Sequence, residues 1–378
     1  MNTTSRHSPM IVEFLDFTPQ HRRGMEAFYL GLAEKLVQRG CRVAFVLSGE
    51  PVDWFREKLV QWNVPYCTVS FPLNFQQFRR AYRFLLPLKP TLLQTFYISP
   101  FNLYIHLLRF LLRVRYLVNT DHSSGTVSDK SRLGETLAQI RGTLAGRFFD
   151  KIITISDFQT ERDTTRAYLP KSKFTKIYSG PDMNRYVPRP ELRPTSYIKI
   201  AFAGQIRPQK GVLTLIKAFA EASKQGNQPL ELHIAGVGPQ TDELKEFAKV
   251  HQLGQVRFLG GVDNIPELFA SAHIVVVPSE WAEAFGLVVV EAMACGTAVI
   301  CSDAGGIPEV LGADGGTGLI FHKGDVADLA EKLVRLITNP DRREQMGRLG
   351  RDRATAVFSK DQMVNGYVEV IQQVTNHT

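Results

Sequence analysis

The sequence predicts an α/β protein made of two doubly wound domains, each with a parallel sheet. Three observations carry that prediction. At 378 residues the chain exceeds one comfortable core and suits two domains. Both halves repeat a short apolar run that passes through a glycine-bearing loop into a helical pattern. A proline-rich stretch without apolar period, Val187-Pro-Arg-Pro-Glu-Leu-Arg-Pro194, separates the halves. The expected domains are residues 1–190 and 195–358, and in such sheets ligands bind beyond the carboxyl ends of the strands.

Taken in order, the elements begin with a strand from Met10 to Phe17 and a loop from Thr18 to Gly24. A helix over Glu26 to Gly40, closed by its glycine, and a strand from Arg42 to Leu47 follow. The second half opens with a strand at Ile198 to Ala203. It runs through a loop holding Arg207 and Lys210 into a helix at Val212 to Ala222. Ala272 to Pro278 is short, β-branched and closed by proline, as a buried parallel strand would be. After Gly286 the small and apolar residues read as a helix, and Met363, Val364, Tyr367, Val368 and Ile371 place an amphipathic helix near Lys360 to Val374.

The chemistry concentrates around Glu283 and Glu291. Glu283 precedes the helix after Gly286 and Glu291 lies within it. A helix N-terminus attracts phosphate, and a carboxylate beside phosphate would repel it. Two glutamates make sense there if each accepts hydrogen bonds from neutral hydroxyls, as a sugar and a ribose supply. The implied ligand is a sugar nucleotide. Arg207 offers a planar donor fork and Lys210 a mobile charge, and together they suit a diphosphate. Read alone, the glutamate pair also fits a solvated surface and the loop ordinary surface basicity; their combination favours a ligand site.

At these residues the chain resembles the family-4 glycosyltransferases of the GT-B type, retaining enzymes that use nucleotide sugars. The resemblance covers most of the second half: Phe202-Ala-Gly-Gln-Ile-Arg-Pro-Gln-Lys-Gly211, Leu232-His-Ile-Ala-Gly-Val-Gly-Pro239, Val256-Arg-Phe-Leu-Gly260, Pro278-Ser-Glu-Trp-Ala-Glu-Ala-Phe-Gly286, Glu291-Ala-Met-Ala-Cys-Gly296 and Gly305-Gly-Ile-Pro-Glu309. It implies two Rossmann-like domains facing each other across a cleft, an acceptor-binding first domain completed by a crossover helix over residues 360–378, and a donor-binding second domain. Residue by residue, it implies that Arg207 and Lys210 bind the donor diphosphate, Glu283 the sugar hydroxyls and Glu291 the ribose. Gly286 and Leu287 would lend backbone amides, with Gly24, Gly204, Gly236 and Phe285 at further donor-contacting positions. His122, ending Tyr116-Leu-Val-Asn-Thr-Asp-His122, stands where the family has a histidine at the reaction centre; by itself it also fits a loop hydrogen-bonding residue. Asp150 to Ser156 and Ser179 to Asp182 resemble the last strands of the first domain. The family's paired glycines in the first loop are here Arg23 and Gly24, which leaves that loop's role open.

Charge divides unevenly, with a net +12 over residues 1–195 and −4 over residues 196–378. No acidic residue stands between Glu57 and Asp121, where Arg79, Arg80, Arg83, Lys89, Arg109, Arg113 and Arg115 interleave with Phe75, Phe78, Tyr82, Phe84, Leu85 and Leu86. This suits an anionic membrane surface and equally a core with its arginines solvated. Nucleic acid is disfavoured by the acidic second half. Met1 to Met10 is polar, without a secretory pattern, and Ile98 to Leu112 is shorter than the roughly 20 residues that span a bilayer. The expected location is the cytoplasm, with a peripheral place on the inner face of the cytoplasmic membrane as the open alternative. Cys41, Cys67, Cys295 and Cys301 lack metal-ligand spacing and are expected as free thiols.

The expected reaction is metal-independent transfer of a hexosyl group from a UDP- or GDP-sugar to a carbohydrate, lipid-linked or small-molecule acceptor, in cell-envelope or other glycoconjugate synthesis. No cofactor is expected. The sequence contains no Asp-x-Asp to hold a metal, and two cations at a helix N-terminus can stabilise the leaving diphosphate instead. Glycoside hydrolysis by the two glutamates is disfavoured, since about 12 Å of helical rise would separate them and the cations would have no purpose. The alternatives are a nucleotide-sugar epimerase or hydrolase on the same fold and a non-catalytic, membrane-associated binder. Sugar, base, acceptor and oligomeric state are not legible.

Overall fold

The computed structural model describes residues 8–19, 24–124, 132–225, 228–312 and 315–376. The chain divides into two compact units. The first comprises Met1–Ser123, Val127–Tyr178 and Asp361–Thr378; the second comprises Ser124–Thr126 and Ser179–Lys360.

Among the described residues the first unit holds seven strands: β1 (Met10–Leu15), β2 (Arg42–Leu47), β3 (Tyr66–Thr68), β4 (Leu92–Phe96), β5 (Tyr116–Thr120), β6 (Lys151–Thr154) and β7 (Phe174–Lys176). They form one parallel sheet in the order β3-β2-β1-β4-β5-β6-β7. The order reverses between β1 and β4, which opens a crevice at their carboxyl ends. One face packs Ile11 and Leu15 against Phe28, Tyr29 and Leu32 of the helix Gly24–Gln38 and against Tyr367 and Ile371 of the helix Lys360–Asn376. The other packs Val12 and Phe14 against Phe78, Ala81 and Leu85 of the helix Phe75–Leu85 and Ile105 and Leu108 of the helix Leu103–Leu111.

Among the described residues the second unit holds six: β8 (Ile198–Ala203), β9 (Leu230–Ala235), β10 (Val256–Gly260), β11 (Ile274–Val277), β12 (Ala298–Ser302) and β13 (Leu319–Phe321). The sheet is parallel in the order β10-β9-β8-β11-β12-β13, reversing between β8 and β11. β11 and β12 are buried throughout, as strands covered by helices on both faces must be.

Several expectations shift. Ser179 to Asp182 is no strand, and the sheet of the first unit ends with β7. The division of the chain falls at Ser179, ahead of the proline-rich stretch, because the intervening residues pack on the second unit. A Cβ on Gly180 would lie 2.3 Å from the Phe358 carbonyl oxygen, and Arg193 donates to the Gly296 carbonyl at 2.9 Å. Phe78 and Leu85 are core while Phe75 and Leu86 are exposed, so the basic-aromatic interleaving is largely a helix with one buried face. All four cysteines are free; Cys295 and Cys301 are buried, Cys41 and Cys67 half-buried. Among the described residues no helix is long and apolar enough to cross a membrane.

Candidate active site

In the second unit the loops that follow β8 and β11 meet at the reversal of strand order. The first passes from Gly204 to Arg207 and through one 3-10 turn, Pro208–Lys210, before Gly211 opens the helix Val212–Ser223. Gly211 has φ +65°, and a Cβ there would stand 1.9 Å from the carbonyl oxygen of Pro278. Glycine is therefore required twice over, by backbone conformation and by the approach of the β11 loop. Glu280 amide donates to the Gln209 carbonyl at 2.9 Å and Thr214 Oγ1 to Glu280 Oε1 at 2.6 Å, which binds the two loops together.

That junction sets Lys210 against Glu283. Lys210 Nζ donates to Glu283 Oε1 at 2.5 Å, and Ser279 Oγ donates to the same oxygen at 2.8 Å. Ser279 is fixed in turn, its carbonyl accepting from Ser302 Oγ at 2.6 Å. The Glu283 backbone is held by the turn after β12. Gly306 amide donates to its carbonyl at 2.8 Å, and Gly305, at φ +63°, lies so close that a Cβ would stand 2.3 Å from that oxygen. Arg207 is exposed and makes no ion pair among the described residues. It is the cation of the loop left open to solvent.

Gly286 caps the next helix, Leu287–Ala294, at φ +102°. The first amides of that helix have no partner within it and so can face an anion. The helix begins only at Leu287, so the helical-rise comparison of the two glutamates covers just the residues from Leu287 to Glu291. Glu291 is half-buried and accepts from Tyr186 Oη at 2.8 Å. Burial first, and then the Glu291 carboxylate, push the Tyr186 phenol well above its ordinary range. Arg351 clamps the neighbourhood by donating to the carbonyls of Tyr186 and Ala294 at 2.6 and 2.5 Å. Phe285 is buried with its ring 5.6 Å from that of Phe358, so its side chain is committed to packing.

Gly204 and Gly236 serve a common purpose. Gly236 has φ +141°, and a Cβ on it would lie 1.8 Å from the Gly204 carbonyl oxygen. The turns after β8 and β9 thus run backbone to backbone.

In the first unit, Gly24 opens the helix Gly24–Gln38, and Arg23 lies outside the described residues. His122 follows β5 with its ring 4.8 Å from Tyr97 and 6.2 Å from Phe96. Its Nε2 is buried without a hydrogen-bond partner among the described residues. Burial lowers its pKa to about 4, opposed weakly by Asp121, so the imidazole is neutral at ordinary pH. Arg162 steadies the adjoining loop, donating to Asp121 Oδ2 at 2.7 Å and the Ser123 carbonyl at 2.8 Å.

Sequence reasoning missed Ser279, Tyr186, Arg351 and Arg162. Ser279 stood inside a quoted motif, next to Pro278. Tyr186 stood between the Ser179 to Asp182 run and the proline-rich stretch and belonged to neither, and Arg162 carried no signal.

Residues 22–185 match the family model described as Glycosyltransferase Family 4, and residues 187–353 the model described as Glycosyl transferases group 1. Alpha-maltose-1-phosphate synthase of Mycolicibacterium smegmatis is 36% identical over 191 residues, 47% of this chain and 48% of that one. N-acetyl-alpha-D-glucosaminyl L-malate synthase of Bacillus anthracis is 26% identical over 91% of this chain and 92% of that one. The chain thus spans about half of the first relative and nine tenths of the second. Anabaena Alr3699/HepE, solved in complex with UDP-glucose, superposes with a TM-score of 0.77 at 22% identity, covering 96% of this chain and 99% of that one. The two sheets and these matches define a glycosyltransferase of the GT-B fold. The chain belongs to glycosyltransferase family 4, whose donors are nucleotide sugars.

Proposed function

We propose that the protein moves a hexosyl group from a UDP- or GDP-sugar to a carbohydrate, lipid-linked or small-molecule acceptor in glycoconjugate synthesis, with retention of anomeric configuration and without a metal. The observation that carries the reading is the Lys210–Glu283–Ser279 cluster at the reversal of strand order, where a cation and a hydroxyl-reading carboxylate share one crevice. A bound donor offers Lys210 a diphosphate and Glu283 the sugar hydroxyls, so each partner of the ion pair gains a ligand group of its own. Arg207 and the amides at Gly286 and Leu287 complete the diphosphate site, and Glu291, oriented by Tyr186, takes the ribose.

In this reading the acceptor oxygen forms its bond to the anomeric carbon on the face from which the diphosphate departs. The breaking bond leaves its electron pair on the diphosphate, and a diphosphate oxygen takes the acceptor proton. Arg207 and Lys210 stabilise the charge that gathers there, which is the role a metal would otherwise have. His122, neutral and aromatic-packed, belongs to the acceptor-binding unit and reads acceptor hydroxyls.

A thermal-shift screen of nucleotide sugars, repeated on Lys210→Ala, tests the donor site. Stabilisation by one base and sugar that vanishes in the variant supports the reading. Stabilisation by no nucleotide sugar would favour a non-catalytic binder. Full turnover of donor without acceptor would favour an epimerase or hydrolase, and the anomeric coupling constant of the product tests retention.

A further inference from the structure

The first unit leaves a continuous apolar face in water. On the helix Leu103–Leu111, Leu103 and Phe110 are 73% and 78% exposed, and Leu107 and Leu111 are exposed beside them. On the helix Arg132–Arg147, Leu137, Ile140 and Leu144 recur at helical spacing, all exposed, and Phe148 follows directly at 55%. The two stripes adjoin. Arg109 donates to the Phe148 carbonyl, the His106 ring lies 5.5 Å from that of Phe148, and the Arg141 guanidinium sits 4.2 Å over the Phe101 ring. A cavity of about 750 Å³ opens between them, with Phe110, Phe148, Arg109 and Arg113 in its wall.

The charges around this face have one dominant sign. Arg113, Arg115, Arg141 and Arg147 are exposed, whereas Glu135 is the exposed acid of the second helix and Asp150 is already paired with Arg109 at 3.1 Å. A folded chain seldom leaves so many large apolar side chains contiguous without a use for them. An apolar stripe bordered by guanidinium groups matches the boundary between acyl chains and anionic headgroups, where the arginine stems lie on apolar surface while their heads reach phosphate. A protein partner would need a complementary acidic and apolar face, whereas an anionic bilayer supplies both features everywhere.

We propose that the face formed by Leu103, Phe110, Leu137, Leu144 and Phe148, with Arg113, Arg141 and Arg147, docks the protein on an anionic lipid bilayer. Docking is peripheral, through side chains that enter the headgroup region. It stands on the first unit alone and does not depend on the donor chemistry proposed above.

Co-sedimentation of the full chain with vesicles of phosphatidylcholine, and of phosphatidylcholine mixed with phosphatidylglycerol, tests this. Binding should require the anionic lipid and weaken as salt rises. Arg113→Glu/Arg147→Glu and Phe110→Ser/Leu144→Ser should each lower the apparent affinity by about tenfold or more, since a charge near the surface and a buried apolar side chain both count there. Val250→Ser, an exposed apolar position of the second unit, should bind as the parent does. All are surface changes, so an unchanged Tm certifies folding in each. Equal binding to both vesicles, no binding to either, or variants that bind like the parent would overturn the proposal. So would a concentration-dependent dimer that Phe110→Ser/Leu144→Ser dissolves, for the face would then be a contact between copies.

Discussion

Lys210 and Glu283, 73 residues apart in the chain, meet at 2.5 Å because the loops after β8 and β11 are bonded to each other. The pair joins the group expected to bind diphosphate to the group expected to bind sugar, so neither can be altered without releasing the other. Lys210→Ala should lower the transfer rate by about 10²–10³-fold, as removal of one preorganised group at a charge-developing site does. Lys210→Arg should recover part of it. Steady-state kinetics check this, and a Lys210→Ala enzyme with parental kcat would remove Lys210 from the chemistry.

Gly211→Ala should destabilise by about 2 kcal/mol or more, because the new Cβ meets the Pro278 carbonyl oxygen in a left-handed backbone conformation. Gly254→Ala meets nothing within 4 Å and should be neutral within about 0.5 kcal/mol. Urea midpoints compare them. Equal midpoints would mean that the two loops do not approach as described.

Tyr186→Phe removes the hydroxyl that holds Glu291. A hydrogen bond to a charged group contributes about 1.5–3 kcal/mol, so stability should fall by an amount near that range. If Glu291 reads the ribose, the donor KM should rise with kcat little changed. A fall in kcat alone would place the tyrosine nearer the reacting atoms.

Glu13 lies buried in the middle of β1, with neither carboxylate oxygen hydrogen-bonded among the described residues, and burial raises its pKa from 4.5 to about 8. The folded protein then keeps a proton that the unfolded chain gives up. Its contribution to stability is complete below about pH 4.5, declines as pH rises towards 8 and is absent above. Glu13→Gln should remove that decline from a plot of unfolding free energy against pH. A variant with the parental slope would show that Glu13 is ionised in the fold.

His122 titrates in the opposite sense. Its neutral form is favoured by burial, so its contribution is present above pH 6.5 and is lost as pH falls through about 4. The imidazole resonances in NMR should therefore show no titration near 6.5. A midpoint there would mean that the ring is solvated.

The order of apolar runs and glycine loops made the parallel α/β architecture legible, because a buried parallel strand has few ways to be written other than as a short β-branched run. Glu283, Arg207 and Lys210 stood out by residue type around a helix N-terminus and by the resemblance of their motifs, and the fold brings Lys210 and Glu283 into contact. Tyr186 was not legible. Its proximity to Glu291 depends on the segment after Ser179 packing on the second unit, and no local pattern records where a segment packs. The exposed stripe on the helix Arg132–Arg147 was likewise hidden, since an apolar period looks the same whether its face is covered or bare.

By itself the sequence determined the two parallel sheets and the glycine-bearing loops, since periodicity and backbone freedom are local properties. Only the tertiary structure decided that Lys210 and Ser279 share one oxygen of Glu283, that Tyr186 orients Glu291, and that Glu13 lies in the core without a partner among the described residues. Those relations join residues far apart in the chain, and they exist only once the strands have taken their order and burial has removed water from between them.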